Sequence, residues 1–130
     1  MGISVGVAAV AGAVAPAVSA QATTTTKQRV VEVVTRAPYG KMLATVKGLS
    51  LYTTSSGCTG GCLTAWPPLL MDKGRTVPTG VKGLGTVALT FKGSSRLQVT
   101  FDGNALYRFI GDSGTSVNGN GVSGFSVAKV

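Results

Sequence analysis

The sequence predicts an all-β protein: a small single-domain sandwich or barrel built from two degenerate β repeats, with a short helical turn in the loop that holds both cysteines. Three observations carry the prediction. Val87, Leu89 and Phe91 alternate with their neighbours, as do Leu97, Val99 and Phe101, so each trio shares one face of a strand. Glycine dipeptides that suit tight turns, Lys47-Gly48 and Asp102-Gly103, punctuate the apolar runs. Leu51-Tyr52 returns 55 positions later as Leu106-Tyr107, with corresponding residues before it. No stretch of ten or more residues has helical periodicity.

Residues 1–22 are expected to be an export signal. Positions 3–18 are apolar and small, and Val18-Ser19-Ala20-Gln21-Ala22 offers the small side chains that signal peptidase accepts. About 16 apolar residues fall short of the roughly 20 that cross a bilayer, so no stable membrane span is expected. No Lys or Arg precedes the run, a departure from the usual positive leader, and no Cys follows it to accept a lipid. Residues 23–29, opening on four threonines, read as a tether. Residues 30–130 form a single β domain, with one repeat over about 40–70 and the other over about 95–130.

Within that domain Val30-Val31-Glu32-Val33-Val34 is β-branched and strand-like, and Ala37-Pro38-Tyr39-Gly40 ends it. Residues 42–46 and 49–53 are short strands on either side of Lys47-Gly48. From 55 to 80 the strand pattern lapses, and Cys62 to Trp66 has room for one helical turn that Pro67 stops. Lys92-Gly93-Ser94-Ser95 joins the two alternating strands. Asp102-Gly103 tolerates the positive φ of a type I′ turn and leads into a strand over 105–110. Residues 111–124 are Gly/Ser/Asn-rich and loop-like, and 125–130 closes the domain as a last strand.

All 12 Lys and Arg and all four acids lie beyond residue 22, so the chain without its leader keeps the full +8. Such a balance favours anionic partners: an envelope polymer or glycan, acidic lipid, or nucleic acid. The cations are spread from Lys27 to Lys129 with no run of three, which reads as solvated surface charge. A nucleic-acid module shows clustered cations with aromatics among them, so no nucleic-acid partner is expected.

An offset of 55 also pairs Thr45 with Thr100, Val46 with Phe101 and Gly48 with Gly103; Trp66 and Phe125 are the later aromatics of the two copies. Two such units can bury each other's apolar faces, which a lone hairpin cannot. Leu106-Tyr107-Arg108-Phe109-Ile110-Gly111-Asp112 resembles the Tyr-x-aromatic-x-x-Asp motif of a secreted repeat family of unknown function, made up of bacterial envelope proteins and predicted lipoproteins. Cys58-Thr59-Gly60-Gly61-Cys62 and Trp66-Pro67-Pro68 are similar to that family's Cys-Gly-Cys and Trp-Pro-Pro segment. The likeness covers residues 33–130. Thr54 stands where an aromatic is usual, Gly57 where the Asp is expected, and Phe125 where a Trp is common. The resemblance implies a bacterial envelope location, lends no activity, and without a lipid-accepting Cys points to a freely secreted member.

Cys58 and Cys62 are the only thiols, and an exported chain meets an oxidising medium, so a disulfide is expected. Gly57, Gly60 and Gly61 let the loop curl enough to close it. The alternative is an extracytoplasmic redox couple, although three residues separate the cysteines where thioredoxin-like motifs have two. The chain has no histidine, which removes imidazole ligation, and two cysteines are too few for structural zinc. Cu(I) held by the two sulfurs with Met42 or Met71 is a remote option. Neither metal nor cofactor is expected. No catalytic group is assigned; Asp102 and Asp112, which flank one strand, are the only acids with a route to a shared site. Tyr52, Trp66, Tyr107, Phe109 and Asp112 are the candidate binding or family-motif residues. They read either as packed aromatics plus an Asx turn or as an aromatic platform with one acceptor for a glycan. The expectation is a monomeric, non-catalytic module of the bacterial cell envelope.

Overall fold

The computed structural model describes residues 26–130. The expected signal, residues 1–22, and the first three residues of the tether lie outside them. Among the described residues nine strands and one helical turn follow in order: β1 Lys27–Arg29, β2 Val31–Arg36, β3 Gly40–Thr45, β4 Tyr52–Thr54, α1 Cys62–Ala65, β5 Val77–Thr79, β6 Leu84–Phe91, β7 Ser94–Phe101, β8 Asn104–Ala105 and β9 Phe125–Val127. The fold is all-β, and its sheets do not close into a barrel. α1 is the helical turn expected ahead of Pro67, and Trp66 N donates to Cys62 O at 3.0 Å where it ends.

The turn chemistry sets the registers. Lys92 and Gly93 (φ 51° and 78°) join β6 to β7, and Asp102 and Gly103 (φ 48° and 85°) join β7 to β8. Two consecutive positive φ values make a type I′ turn, whose twist matches the flanking strands. The hairpin after β3 is one residue longer. Thr45 N donates to Leu49 O and Gly48 N to Thr45 O, both at 2.8 Å, around a loop of Val46, Lys47 and Gly48.

Three elements depart from the sequence reading. The strand expected over 105–110 is only the two-residue β8, followed by isolated bridges at Tyr107. Lys27–Arg29, placed in the tether, form β1, and they pair in parallel with β5 from the stretch where strand pattern lapsed. Pro78 lies within β5 and has no N–H, which an edge strand tolerates. Gly80 follows with φ 132°; a Cβ there would sit 1.8 Å from Val31 O, so only glycine lets the chain pass.

The interior holds two hydrophobic clusters. Val31, Leu43, Leu51, Met71, Val99, Leu106 and Ala128 belong to one, and Met42, Tyr52, Leu63, Trp66, Tyr107, Phe125 and Val127 to the other. Consecutive strand residues point to opposite faces. Met42 and Leu43, Leu51 and Tyr52, Leu106 and Tyr107, and Val127 and Ala128 therefore each divide between the two clusters. These short strands are buried on both sides, which explains why they read as continuous apolar pairs.

The backbone hydrogen bonds around these strands occur in matched pairs. Leu43 N donates to Ala128 O and Val99 N to Leu69 O, both at 2.8 Å. Ala128 N donates to Leu51 O at 2.9 Å and Leu69 N to Leu106 O at 3.0 Å. Isolated bridges join Met42 to Lys129 and Leu70 to Gln98. Tyr52 and Tyr107 meet directly and exchange bonds, Tyr52 N to Tyr107 O at 2.8 Å and Tyr107 N to Tyr52 O at 2.9 Å. The segment after Trp66 thus completes the strands near Leu106, and the segment after Phe125 completes those near Leu51.

Candidate functional site

Trp66 lies at the centre of the aromatic candidates. Its ring stacks on Phe125 at 3.7 Å and 7°, tilts against Phe109 at 4.5 Å, and meets the Tyr52 ring edge-on at 5.4 Å. Tyr107 meets Phe125 edge-on at the same 5.4 Å. Tyr52, Trp66 and Tyr107 are buried, with Phe109 half-buried against them. The structure brings all four together, but as packing rather than as an open platform. Each pair adds about 0.5–1.5 kcal/mol beyond the area it buries.

Asp112 joins the same cluster. The Tyr52 hydroxyl donates to Asp112 Oδ2 at 2.6 Å and accepts from Gly119 N at 3.1 Å, while Asp112 Oδ1 accepts from Asn118 N at 2.7 Å. Burial, and then the adjacent carboxylate, push the Tyr52 phenol well above its ordinary range, so it stays protonated and donates. Asp112 organises the loop from 111 to 119 and ties it to a tyrosine from the other half of the domain. Gly119 was legible only as part of a Gly-rich run. A Cβ at Gly119 would come within 2.8 Å of Trp66 Cη2 and 3.0 Å of Tyr52 Cζ, so the aromatic cluster itself requires glycine there.

Cys58 and Cys62 are bridged, with Cα atoms 5.4 Å apart. Cys58 is buried in the aromatic cluster and Cys62 is half-buried. The bridge fixes the loop that starts α1 and, through the Cys62 carbonyl, the backbone of Trp66. A buried sulfur is poorly placed for attack by an external thiolate. Among the described residues Asp102 and Asp112 share no partner: the Asp102 backbone N–H donates to Gly83 O, whereas the Asp112 carboxylate is held at Tyr52. Among the described residues no group of three or more His, Cys, Asp or Glu side chains comes together.

Outside the core, three hollows of about 240, 420 and 470 Å³ adjoin along one side of the domain. The smallest and the middle one share Asp72 and Arg96; the middle one and the largest share Pro67, Phe91 and Arg108. Their cations come from separate segments, which is why the sequence shows no cluster. Comparison with known proteins finds no matching family model, no matching curated protein and no matching solved structure.

Proposed function

We propose that this chain is a secreted bacterial cell-envelope module, assembled from two copies of one β unit, that attaches without catalysis to an anionic or glycan surface. The observation that carries the reading is the +8 charge, little of which is offset by ion pairing among the described residues. Among the described residues the one ion pair is Arg29 with Glu32, at 3.9 Å and largely exposed. The Cys58–Cys62 bridge supports an oxidising location. The matched hydrogen bonds about Tyr52 and Tyr107 support duplication, and with it the resemblance to the secreted repeat family. In that reading the two copies hold corresponding loops by different means, a disulfide in the first and Asp112 in the second.

Sedimentation with purified bacterial cell wall over a salt series tests the proposal. The protein is expected in the pellet at low ionic strength and in the supernatant above about 0.5 M salt, where charges are screened within a few Å. A protein that stays in solution at the lowest salt would remove this reading.

A further inference from the structure

We infer that the three adjoining hollows form one groove that binds a polymer carrying regularly spaced anionic groups on a non-aromatic backbone. This deepens the attachment reading above and rests on it. The groove gathers Lys47, Lys73, Arg75, Lys92, Arg96 and Arg108, half of the 12 cations of the chain, against one acid, Asp72. Sequence dispersal conceals this because Lys47 comes from the turn after β3, Lys73 and Arg75 from the loop before β5, Lys92 from the β6–β7 turn, Arg96 from β7, and Arg108 follows β8.

These cations are available. Among the described residues Lys47 and Arg108 make no hydrogen bond or ion pair through their side chains, although Arg108 is half-buried. Lys92 Nζ lies 5.3 Å from the centre of the Phe91 ring. Arg96 Nη2 and Arg75 Nη1 each donate once, to Met71 O and Lys27 O, which positions the guanidinium and leaves further N–H donors for a ligand. Low-dielectric walls and one sign of charge focus the field along such a cleft.

The floor selects the backbone of the ligand. Leu63, Pro67 and Phe91 line the largest hollow, and Pro68, Leu69 and Leu70 continue the apolar surface into the middle one. Aliphatic and proline surfaces suit the C–H faces of sugar or glycerol units. A single-stranded nucleic acid needs open aromatic rings on which bases stack. Among the described residues Phe91 is the one aromatic along the groove, and the Lys92 ammonium lies near it. The chain of hollows, open to solvent, suits an extended ligand better than a compact one, which is usually enclosed over most of its surface.

The test is titration of the protein with poly(glycerol phosphate), polygalacturonate and single-stranded DNA at low ionic strength, which separates phosphodiester, carboxylate and nucleic-acid sources. Lys47→Gln, Lys92→Gln and Arg108→Gln are combined in one variant; Lys41→Gln, Lys82→Gln and Lys129→Gln, exposed cations outside the groove, make a control of equal charge. The groove variant is expected to bind one or both non-aromatic polymers about a hundredfold more weakly, on a scale of about fivefold per cation facing an anionic surface. The control is expected to stay within about threefold. Equal losses in both would overturn the groove and leave attachment by net charge. Wild-type binding to cell wall but to neither non-aromatic polymer would also overturn it, whereas binding to none of these removes the attachment reading too. Tighter binding of DNA than of both other polymers would overturn the choice of ligand. Should the triple variant fail to fold, Arg108→Gln alone is expected to lose about fivefold, and no loss there counts against the groove.

Discussion

Tyr52 shows how much one side chain connects. Its ring packs on Trp66 and Phe109, its backbone bridges Tyr107, and its hydroxyl joins Asp112 to the Gly119 amide. Tyr52→Phe keeps the ring and strands the polar partners, so urea denaturation is expected to show a loss of about 1–3 kcal/mol. The pH dependence has a definite sign. The folded pKa of Tyr52 is raised, so its contribution is intact below about pH 10, where the unfolded phenol is also protonated. Above that, only the unfolded state loses the proton, and stability falls by about 1.4 kcal/mol per pH unit. Stability of wild type minus that of Tyr52→Phe is expected to be flat from pH 6 to 9 and to shrink from pH 10 to 11. Gly119→Ala places a methyl group against Trp66 and Tyr52 and is expected to cost about 1–3 kcal/mol by the same denaturation measurement. The motif residues Tyr107, Phe109 and Asp112 were visible in the sequence; that the acid reaches Tyr52, 60 positions away, was not, since nothing local encodes a long-range hydrogen bond.

At the level of elements, period-two alternation and glycine turns made β6, β7, the turn at Lys92-Gly93 and the type I′ turn at Asp102-Gly103 readable. β1 and β5 were missed because each has three residues, one contains Pro78, and their pairing is long-range and parallel. The constant offset of 55 also fails upstream of the turns. Leu43 and Val99 make matching bonds 56 positions apart, while Leu51 and Leu106 match at 55, because the turn after β3 holds one more residue than Asp102-Gly103. Thr45 therefore corresponds to Phe101 rather than Thr100. The strand ends are exchanged: residues after Phe125 serve β3 and Leu51. Removing residues 125–130 strips Phe125 from Trp66 and leaves Leu43 N and Leu51 O unpaired, so loss of a cooperative thermal transition is expected. The disulfide is a smaller, local matter. Replacing Cys58 and Cys62 with Ser is expected to lower stability by roughly 2 kcal/mol, the chain-entropy value for so short a loop, in a protein that still folds by circular dichroism.

Over the whole molecule, composition stated the sign of the net charge and sequence order hid where the cations gather. Net charge and the absence of histidine were legible at once, and they narrowed the chemistry. The aromatic residues that looked most like a binding platform are spent on the second core, where Trp66 is 3 % exposed. Six of the cations that read as scattered solvation line the three hollows, because turns and loops remote in sequence come together there. The most direct measurement is a nitrogen-15 NMR titration of the protein with poly(glycerol phosphate) at low salt. Amide shifts are expected to concentrate at Lys47, Leu69, Lys92, Arg96 and Arg108, and to leave Lys41, Lys82 and Lys129 unmoved; shifts spread evenly over all lysines and arginines, or centred on the latter three, would contradict it.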